Sequence, residues 1–151
     1  MFRGLHTINL DAKGRLAIPT KYRDTLAGLC DAKMVVTVDI EERCLLVYPL
    51  NEWEIIQSKI ADLPNMSPVV RRMQRMLIGH ANDIELDGNG RILLPQPLRE
   101  YAELDKEVVL MGQGKKLELW SKSVWDARRD EYLDVAKQSE PLPAELQSFS
   151  L

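Results

Sequence analysis

The chain has 151 residues, of which 45% are hydrophobic, and its 20 Lys and Arg against 23 Asp and Glu give a formal net charge of −3. This composition is typical of a globular protein with its own core, and it excludes a collagen, a coiled-coil rod and a disordered tail. No segment approaches the roughly 18 apolar residues that a membrane helix requires. No apolar run follows Arg3 as a secretory signal would need, so we expect a cytoplasmic protein.

The net charge hides a gradient along the chain. Residues 1–25 carry five Lys and Arg against two Asp, a net charge of +3, whereas residues 126–151 carry three basic against six acidic residues, a net charge of −3. This asymmetry indicates that one end of the chain meets an anion while the other end stays in solvent.

The sequence contains no recognisable catalytic or metal-binding motif. Cys30 and Cys44 form no CxxC pattern and have no histidine at ligand spacing, so we expect two apolar thiols in a reducing compartment and no metal site. His6 and His80 belong to no catalytic constellation and are expected to be structural. Because the dinucleotide, P-loop, GxSxG and HExxH motifs are all missing, we expect no enzyme, no cofactor and no small-molecule substrate.

An internal repeat with an offset of 76 residues dominates the sequence. The segment INLDAKGRLAIPTKYR at 8–23 recurs as IELDGNGRILLPQPLR at 84–99. In each copy two alternating apolar and polar segments flank a four-residue turn that starts with Asp and ends with Gly, a pattern typical of a β-hairpin. The Asp carboxylate can accept the backbone N–H two residues on, and the Gly supplies a positive φ. The turn-forming residues are therefore expected to be Asp11, Gly14, Asp87 and Gly90.

The elements that follow each turn are predicted from the same pattern. Pro19 and Pro95 stand where a helix can begin. We predict a short helix and then two strands in each copy, over residues 19–27, 34–39 and 44–48 in the first and over 95–102, 107–111 and 116–120 in the second.

Two helices are predicted between the copies. One is capped by Asn51 and buries Trp53, Ile56, Ile60 and Leu63. The other opens at Ser67-Pro68, ends before Gly79 and buries Val69, Met73, Met76 and Leu77. The polar side of the second helix carries Arg71, Arg72 and Arg75, which either form a solvated face paired with acidic neighbours or contact another subunit or a phosphate.

The C-terminal region is predicted to begin with an amphipathic helix and to end in a tail. The helix runs from Trp125 to about Lys137, and the tail from Ser139, with Pro141 and Pro143, is expected to be loosely ordered.

The segment LDAKGRLAIPTKYR, behind an N-terminal MFRG, resembles the MraZ family of bacterial transcriptional regulators, and LDGNGRILLP at 86–95 resembles that family's second copy. The resemblance extends from Met1 to about Tyr132. It implies an α+β fold in which a tandem pair of swapped-hairpin units of the AbrB type forms an intramolecular pseudo-dimeric β-barrel with peripheral helices. The units would be residues 1–79 and 80–138, followed by the tail 139–151.

The resemblance also implies a function. Family members are DNA-binding repressors that act on the promoter of the division and cell-wall gene cluster, including their own gene, through short G-rich direct repeats. They form homo-oligomers, so we expect a nucleoid-associated closed ring with no membrane contact. Residues 51–79 and the Trp125 helix would lie near the subunit contacts, because they supply apolar Trp, Met and Ile surface.

Lys13 and Arg15 flank Gly14 at the predicted hairpin tip, where both side chains would project from a narrow β-ribbon that fits the major groove. Arg is shaped for the O6/N7 edge of guanine, Lys suits a phosphate, and glycine lets the backbone approach closely. The expected DNA-binding residues are Arg15, Lys13, Gly14, Arg3, Lys21 and Arg91. In the alternative interpretation, each Arg of the Asp-x-x-x-Arg pattern only pairs with its Asp across the turn.

The two copies differ in charge. Lys13 is replaced by Asn89 and Lys21 by Pro97, so we expect the first copy to carry most of the DNA affinity. Arg91 is then either a weak DNA contact or a structural partner of Asp87.

Two questions stay open at this point. Arg23 and Arg99 recur on the short helices, where each could pair with Asp24, Glu100 or a swapped partner, or contact a phosphate. The alternative function is a swapped-hairpin interaction module, similar to an antitoxin, that holds a protein partner through its acidic C-terminal segment.

Overall fold

A computed structural model describes residues 1–134 and 141–150 of the chain. The elements of the first repeat are β1 (Phe2–Asn9), β2 (Arg15–Ala17), α1 (Thr20–Cys30), β3 (Lys33–Val38), β4 (Leu45–Pro49) and α2 (Leu50–Ala61). A linking helix, α3 (Pro68–Met73), continues as a π-helical segment, Gln74–Ile78. The second repeat consists of β5 (Asn82–Glu85), β6 (Arg91–Leu93), α4 (Gln96–Tyr101), β7 (Glu107–Gly114), β8 (Leu117–Ser121) and α5 (Lys122–Leu133), and a short α6 (Ala144–Gln147) follows.

The strands form two separate antiparallel sheets. The larger sheet has the order β1-β7-β8-β4-β3-β5, and the smaller one pairs β2 with β6. The order of the larger sheet reads the same from both edges when the repeats are exchanged, since the first strand of each repeat pairs with the third strand of the other. An α+β fold is therefore confirmed, whereas the described strands form an open sheet and a separate ribbon rather than a closed barrel.

The predicted pairing of the two strands around each turn is wrong. The chain does reverse direction after Leu10, where the Asp11 N–H donates to the Arg15 carbonyl at 2.9 Å. Beyond that bond, β1 pairs with β7 and β2 pairs with β6, so both strands find their partners in the other repeat. Because the two repeats have the same apolar pattern, each strand meets an equivalent partner there, and the exchange buries apolar residues of both repeats in one core.

The larger sheet is covered on both faces. One face shares the main core with the ribbon and with α1 and α4, through residues such as Leu16, Leu26, Ile92, Leu98 and Leu119. The opposite face carries two smaller clusters, one under α2 and the π-helical segment and one under α5. This explains why β3 and β4 are nearly continuous apolar runs, since strands buried on both faces lose the alternation of a half-exposed strand.

The helix predictions are partly confirmed. The helices α1 and α4 begin one residue after Pro19 and Pro95, and α3 begins at Pro68 as predicted. Asn51 is not a cap, because α2 already begins at Leu50, directly after the proline that ends β4. Val69 is exposed rather than inward, and the π-helical segment was not predicted.

The C-terminal region differs from the predicted boundaries. The last long helix, α5, starts at Lys122, before Trp125, and ends at Leu133. Ser139 lies outside the described residues. Residues 141–150 are exposed throughout and contain α6. Within the described ranges no helix is both long enough and apolar enough to cross a membrane.

The two cysteines are free thiols. Cys44 is fully buried, and this burial raises the pKa of its thiol far above the ordinary value. Cys30 is half-buried, and its Sγ lies 3.3 Å from the Leu26 carbonyl oxygen of the preceding helical turn. Cys44 therefore behaves as an apolar core residue, while Cys30 only partly does.

Candidate nucleic-acid interface

The first turn, residues 11–14, is built around the carboxylate of Asp11. Its Oδ1 accepts the backbone N–H groups of Lys13 at 3.0 Å and Arg15 at 2.8 Å, while its Oδ2 accepts the Arg15 Nε at 2.8 Å. Gly14 has a φ of +88°, and its N–H donates to the Asp11 carbonyl at 3.0 Å. The turn needs Asp for these acceptors and Gly for this backbone conformation.

The second turn, residues 87–90, repeats this arrangement. Asp87 Oδ1 accepts the N–H groups of Asn89 at 2.8 Å and Arg91 at 2.9 Å, and its Oδ2 lies 3.2 Å from the Arg91 Nε. Gly90 has a φ of +73°. The same residue types at the same spacing have therefore produced the same hydrogen bonds in both repeats.

The hydrogen bonds also set the charge of the two carboxylates. The backbone N–H of Arg15 is the largest cause that holds the pKa of Asp11 below its ordinary value, and the backbone N–H of Arg91 does the same for the pKa of Asp87. Desolvation opposes both shifts, and the side chains of the two arginines add to them. Both aspartates are therefore anions at neutral pH, each fixed beside one arginine.

We call β2 and β6 together the arginine ribbon. In its register Arg15 is opposite Leu93, and Arg91 is opposite Ala17. Leu16 and Ile92, the central pair, are buried, so the outer residues of the two strands share the opposite, solvent-facing side of the ribbon. Diagonal neighbours of this kind have Cα atoms about 7–8 Å apart, so the structure brings the two arginines to one short surface.

The side chains of Arg15 and Arg91 are each oriented by one hydrogen bond and keep their other donor groups available. Each is held at Nε by its own aspartate, and the side chains of Arg15 and Arg91 are 31% and 32% exposed. In residues 1–134 and 141–150, the terminal amino groups of both guanidinium groups have no hydrogen-bond partner. An arginine fixed at Nε with free terminal donors can still form two hydrogen bonds to an acceptor pair outside the protein.

The remaining predicted DNA-binding residues lie in different places. Lys13 is exposed at the first turn, beside a shallow depression that Asp83 and Glu85 also line. Arg3 lies six residues before the end of β1, a distance of about 20 Å along an extended strand. Lys21 lies with its Nζ 5.3 Å from the centre of the Tyr22 ring. The Tyr22 hydroxyl donates to the carbonyl oxygens of Arg3 and Gly4. The start of α1, which carries Lys21, is therefore held beside the first half of β1, which carries Arg3, and the two cations form a second basic position.

Sequence reasoning missed the location of Arg23 and Arg99. Neither forms an ion pair with Asp24 or Glu100. Instead, each guanidinium group covers the turn glycine of the other repeat, Arg23 on Gly90 and Arg99 on Gly14. The sequence did contain a signal for this contact, because the two arginines recur at the same offset of 76 residues as the two turn glycines.

The three arginines that the sequence singled out on the linking helix have no ion-pair partner among the described residues. Arg71, Arg72 and Arg75 are all exposed. Among the described residues, no group of three or more His, Cys, Asp and Glu side chains is placed to hold a metal ion.

Comparisons with known proteins agree with the doubled motif. A family model described as "MraZ protein, putative antitoxin-like" matches residues 1–76 and again residues 77–142. The chain is 53% identical over 151 residues to a protein of Alkalilimnicola ehrlichii named Transcriptional regulator MraZ, with 100% of both chains covered. Proteins of the same name from Halorhodospira halophila and a Marinomonas species are 52% identical over 152 residues and 56% identical over 133 residues, covering 100% and 88% of each chain. The chain therefore belongs to the MraZ family, whose members in this comparison are named transcriptional regulators.

Proposed function

We propose that this protein is a sequence-specific, DNA-binding transcriptional regulator that acts as a repressor. Its targets would be short G-rich direct repeats in the promoter of the division and cell-wall gene cluster, including its own promoter. The protein would then work in the cytoplasm, associated with the nucleoid. The names of its relatives and the chemistry of the arginine ribbon both support this proposal.

The observation that carries the proposal is the pair of half-exposed arginines on one face of the ribbon. A two-stranded ribbon fits the major groove, which is about 12 Å wide. The free terminal donors of Arg15 match the O6 and N7 acceptors of guanine, and its Nε bond to Asp11 fixes the guanidinium plane before DNA arrives. The aspartate would thus act by orienting the arginine.

The cations around the ribbon would supply affinity without sequence readout. Lys13, which is exposed at the first turn, would contact a phosphate, and Arg3 and Lys21 would meet the backbone farther along the duplex. Gly14 is buried under Arg99, so its part in binding would be to shape the turn. Arg91 would be either a weaker base contact or a structural partner of Asp87, since Asn89 leaves its turn without a lysine.

The test of this function is binding of the purified full chain to two duplexes, one with G-rich direct repeats and one with the same bases scrambled. Fluorescence anisotropy should show tighter binding to the repeat duplex by a factor of about 10³ or more at physiological salt. Equal affinity for both duplexes would contradict sequence-specific recognition.

The exchange of strands between the repeats supports the interpretation of this chain as a pair of swapped-hairpin units, residues 1–79 and 80–138, that form a pseudo-dimer. Single-copy relatives could obtain such an exchange only by dimerising, whereas here one chain contains both partners. Association between chains is then free for another purpose.

We propose that this purpose is a closed ring. Direct repeats on DNA require reading surfaces that face the same way, and a head-to-tail interface around a rotation axis provides them. Apolar side chains are exposed in the expected contact regions, with Ile55 53% and Met66 90% exposed near α2 and α3 and Leu133 72% exposed on α5. Light scattering should show a closed cyclic oligomer at micromolar concentration, and a monomer or a two-fold dimer would overturn the ring.

The second candidate function is an interaction module that holds a protein partner through its C-terminal segment. The described part of the tail favours it, because Leu142, Leu146 and Phe149 are exposed there around α6. Pull-downs from lysate with and without residues 139–151 test this function. A partner captured only by the full chain, together with no preference for the repeat duplex, would favour this candidate over DNA binding.

A further inference from the structure

The glycines of the two turns are buried although the residues before them are exposed. Lys13 and Asn89 are open to solvent, whereas Gly14 and Gly90 are not. The covering group is in each case a guanidinium from the other repeat. A Cβ built on Gly14 would lie 2.7 Å from the Arg99 Cζ and Nε, and a Cβ built on Gly90 would lie 2.2 Å from the Arg23 Nη1. A larger residue at either position would displace the arginine that packs there.

Each glycine is also tied by its carbonyl to the other repeat. The Leu94 N–H donates to the Gly14 carbonyl at 2.8 Å, and the Ile18 N–H donates to the Gly90 carbonyl at 3.0 Å. The residues that donate these bonds lie just before the helices α4 and α1, which carry Arg99 and Arg23. In each turn the glycine therefore meets both a backbone N–H and an arginine side chain from one segment of the opposite repeat.

The two arginines are anchored in a way that suits a packing role. The Arg99 Nε donates to the Leu94 carbonyl at 3.1 Å, and the Arg23 Nη2 donates to the Thr20 hydroxyl at 2.6 Å. The Arg23 Nε is inaccessible to solvent and has no hydrogen-bond partner among the described residues. Neither arginine forms an ion pair in that part of the chain. Besides the hydrogen bonds just described, each side chain packs against the turn glycine of the other repeat.

We propose that Arg99 and Arg23 are positioning residues that act across the repeats, Arg99 fixing the first turn and Arg23 fixing the second. Arg15 directly follows the first turn, so its direction depends on a helix of the second repeat. The consequence for DNA rests on the proposed function, whereas the consequence for the turns does not. Because a lysine ammonium lacks the planar fork of a guanidinium, we expect that a lysine does not replace either arginine.

Amide hydrogen exchange of the full-length protein tests the proposal without DNA. In Arg99→Ala the amides of Gly14 and Arg15, both bonded to Asp11, should exchange about tenfold faster, while the equivalent amides of Gly90 and Arg91 stay unchanged. Arg23→Ala is the matched control and should give the reverse pattern. Core amides such as Val36 should keep their protection in both variants. Arg99→Gln provides the same test if the alanine variant does not fold.

Binding of the G-rich repeat duplex is the second arm. Arg99→Ala and Arg99→Lys should both weaken binding to the repeat duplex about tenfold and leave binding to the scrambled duplex unchanged. Recovery with lysine would show that Arg99 contacts a phosphate, which overturns positioning. Equal exchange at both turns in either variant overturns it as well. A crossed exchange pattern in a protein whose wild type does not prefer the repeat duplex would uphold the positioning residues and refute the proposed function.

Discussion

The first and second turns have the same skeleton but different charge. In both, an aspartate accepts two backbone N–H groups and one arginine Nε, and a glycine with positive φ closes the turn. The residue directly before this glycine is Lys13 in the first turn and Asn89 in the second. The residues that the two turns share therefore explain how both turns fold. Any unequal contribution to DNA binding must come from the residues that differ.

The two turns allow the effect of arginine geometry on binding to be separated from the effect of the charge around the turn. Arg15 and Arg91 have nearly the same exposure and the same aspartate contact, so geometry alone would give them equal roles. The charge near each turn breaks that equality, since the first repeat has Lys13 and Lys21 where the second has Asn89 and Pro97. Variants matched across the repeats can therefore measure charge at nearly constant shape.

The largest effect is expected from Arg15→Ala. A bidentate arginine–guanine contact is worth about 1–3 kcal/mol, and the loss is repeated in every subunit bound to the same duplex. We expect specific binding of the repeat duplex to disappear in gel shifts. The thermal unfolding midpoint should change little, because this side chain points to solvent from the ribbon.

The matched control is Arg91→Ala, which removes the same contact to an aspartate from the second turn. We expect a distinctly smaller loss of binding. If Arg91→Ala proves as harmful as Arg15→Ala, the two turns read DNA equally, and the charge difference has no functional consequence.

A smaller effect is expected on the salt dependence of binding. Each phosphate contact contributes about −0.9 to the slope of log K against log salt. Lys13→Ala should make the slope shallower by about that amount per bound subunit. Asn89→Lys is the reciprocal change, and it should make the slope steeper only if the second turn also lies near the duplex. An unchanged slope in Lys13→Ala would place this lysine away from the phosphates.

The sequence predictions that the structure confirms depend on local chemistry. The Asp and Gly positions of both turns and the start of a helix at Pro68 follow from residue types at short spacing, which local physics decides. Some failures are local, such as the cap assigned to Asn51 and the inward position assigned to Val69, whereas the largest failure concerns contacts distant in sequence. The pattern of residues 8–18 is compatible with a local hairpin, and only the presence of an equivalent second repeat moves both strands to other partners.

The site shows the same division. The sequence pointed to Lys13, Arg15 and Arg91, and the structure adds that the two arginines share one face of a ribbon made by both repeats. The positions of Arg23 and Arg99 could not be read from neighbours, because the surfaces they cover lie more than 60 residues away in the chain. Acidic residues one position later suggested local pairing instead.

Protonation of the turn aspartates should produce the smallest effect, because both carboxylates are exposed. Their partners favour the charged form in the folded protein only, so each folded pKa lies below the unfolded value of about 3.9. The stabilisation is therefore complete above that value and is lost as the pH falls through the lowered folded pKa, with no change near neutrality.

Carbon-detected NMR titration of the two carboxyl groups should give midpoints below about 3.9 for both Asp11 and Asp87. In Arg15→Ala the midpoint of Asp11 should rise only part of the way, because the backbone N–H of residue 15 is the largest cause of the shift and survives the substitution. The midpoint of Asp87 should stay where it was, since its hydrogen bonds come from its own turn. Equal movement of both midpoints would mean that the carboxylates respond to a field shared across the ribbon. The two turns would then be coupled electrostatically, although each glycine is covered by a different arginine.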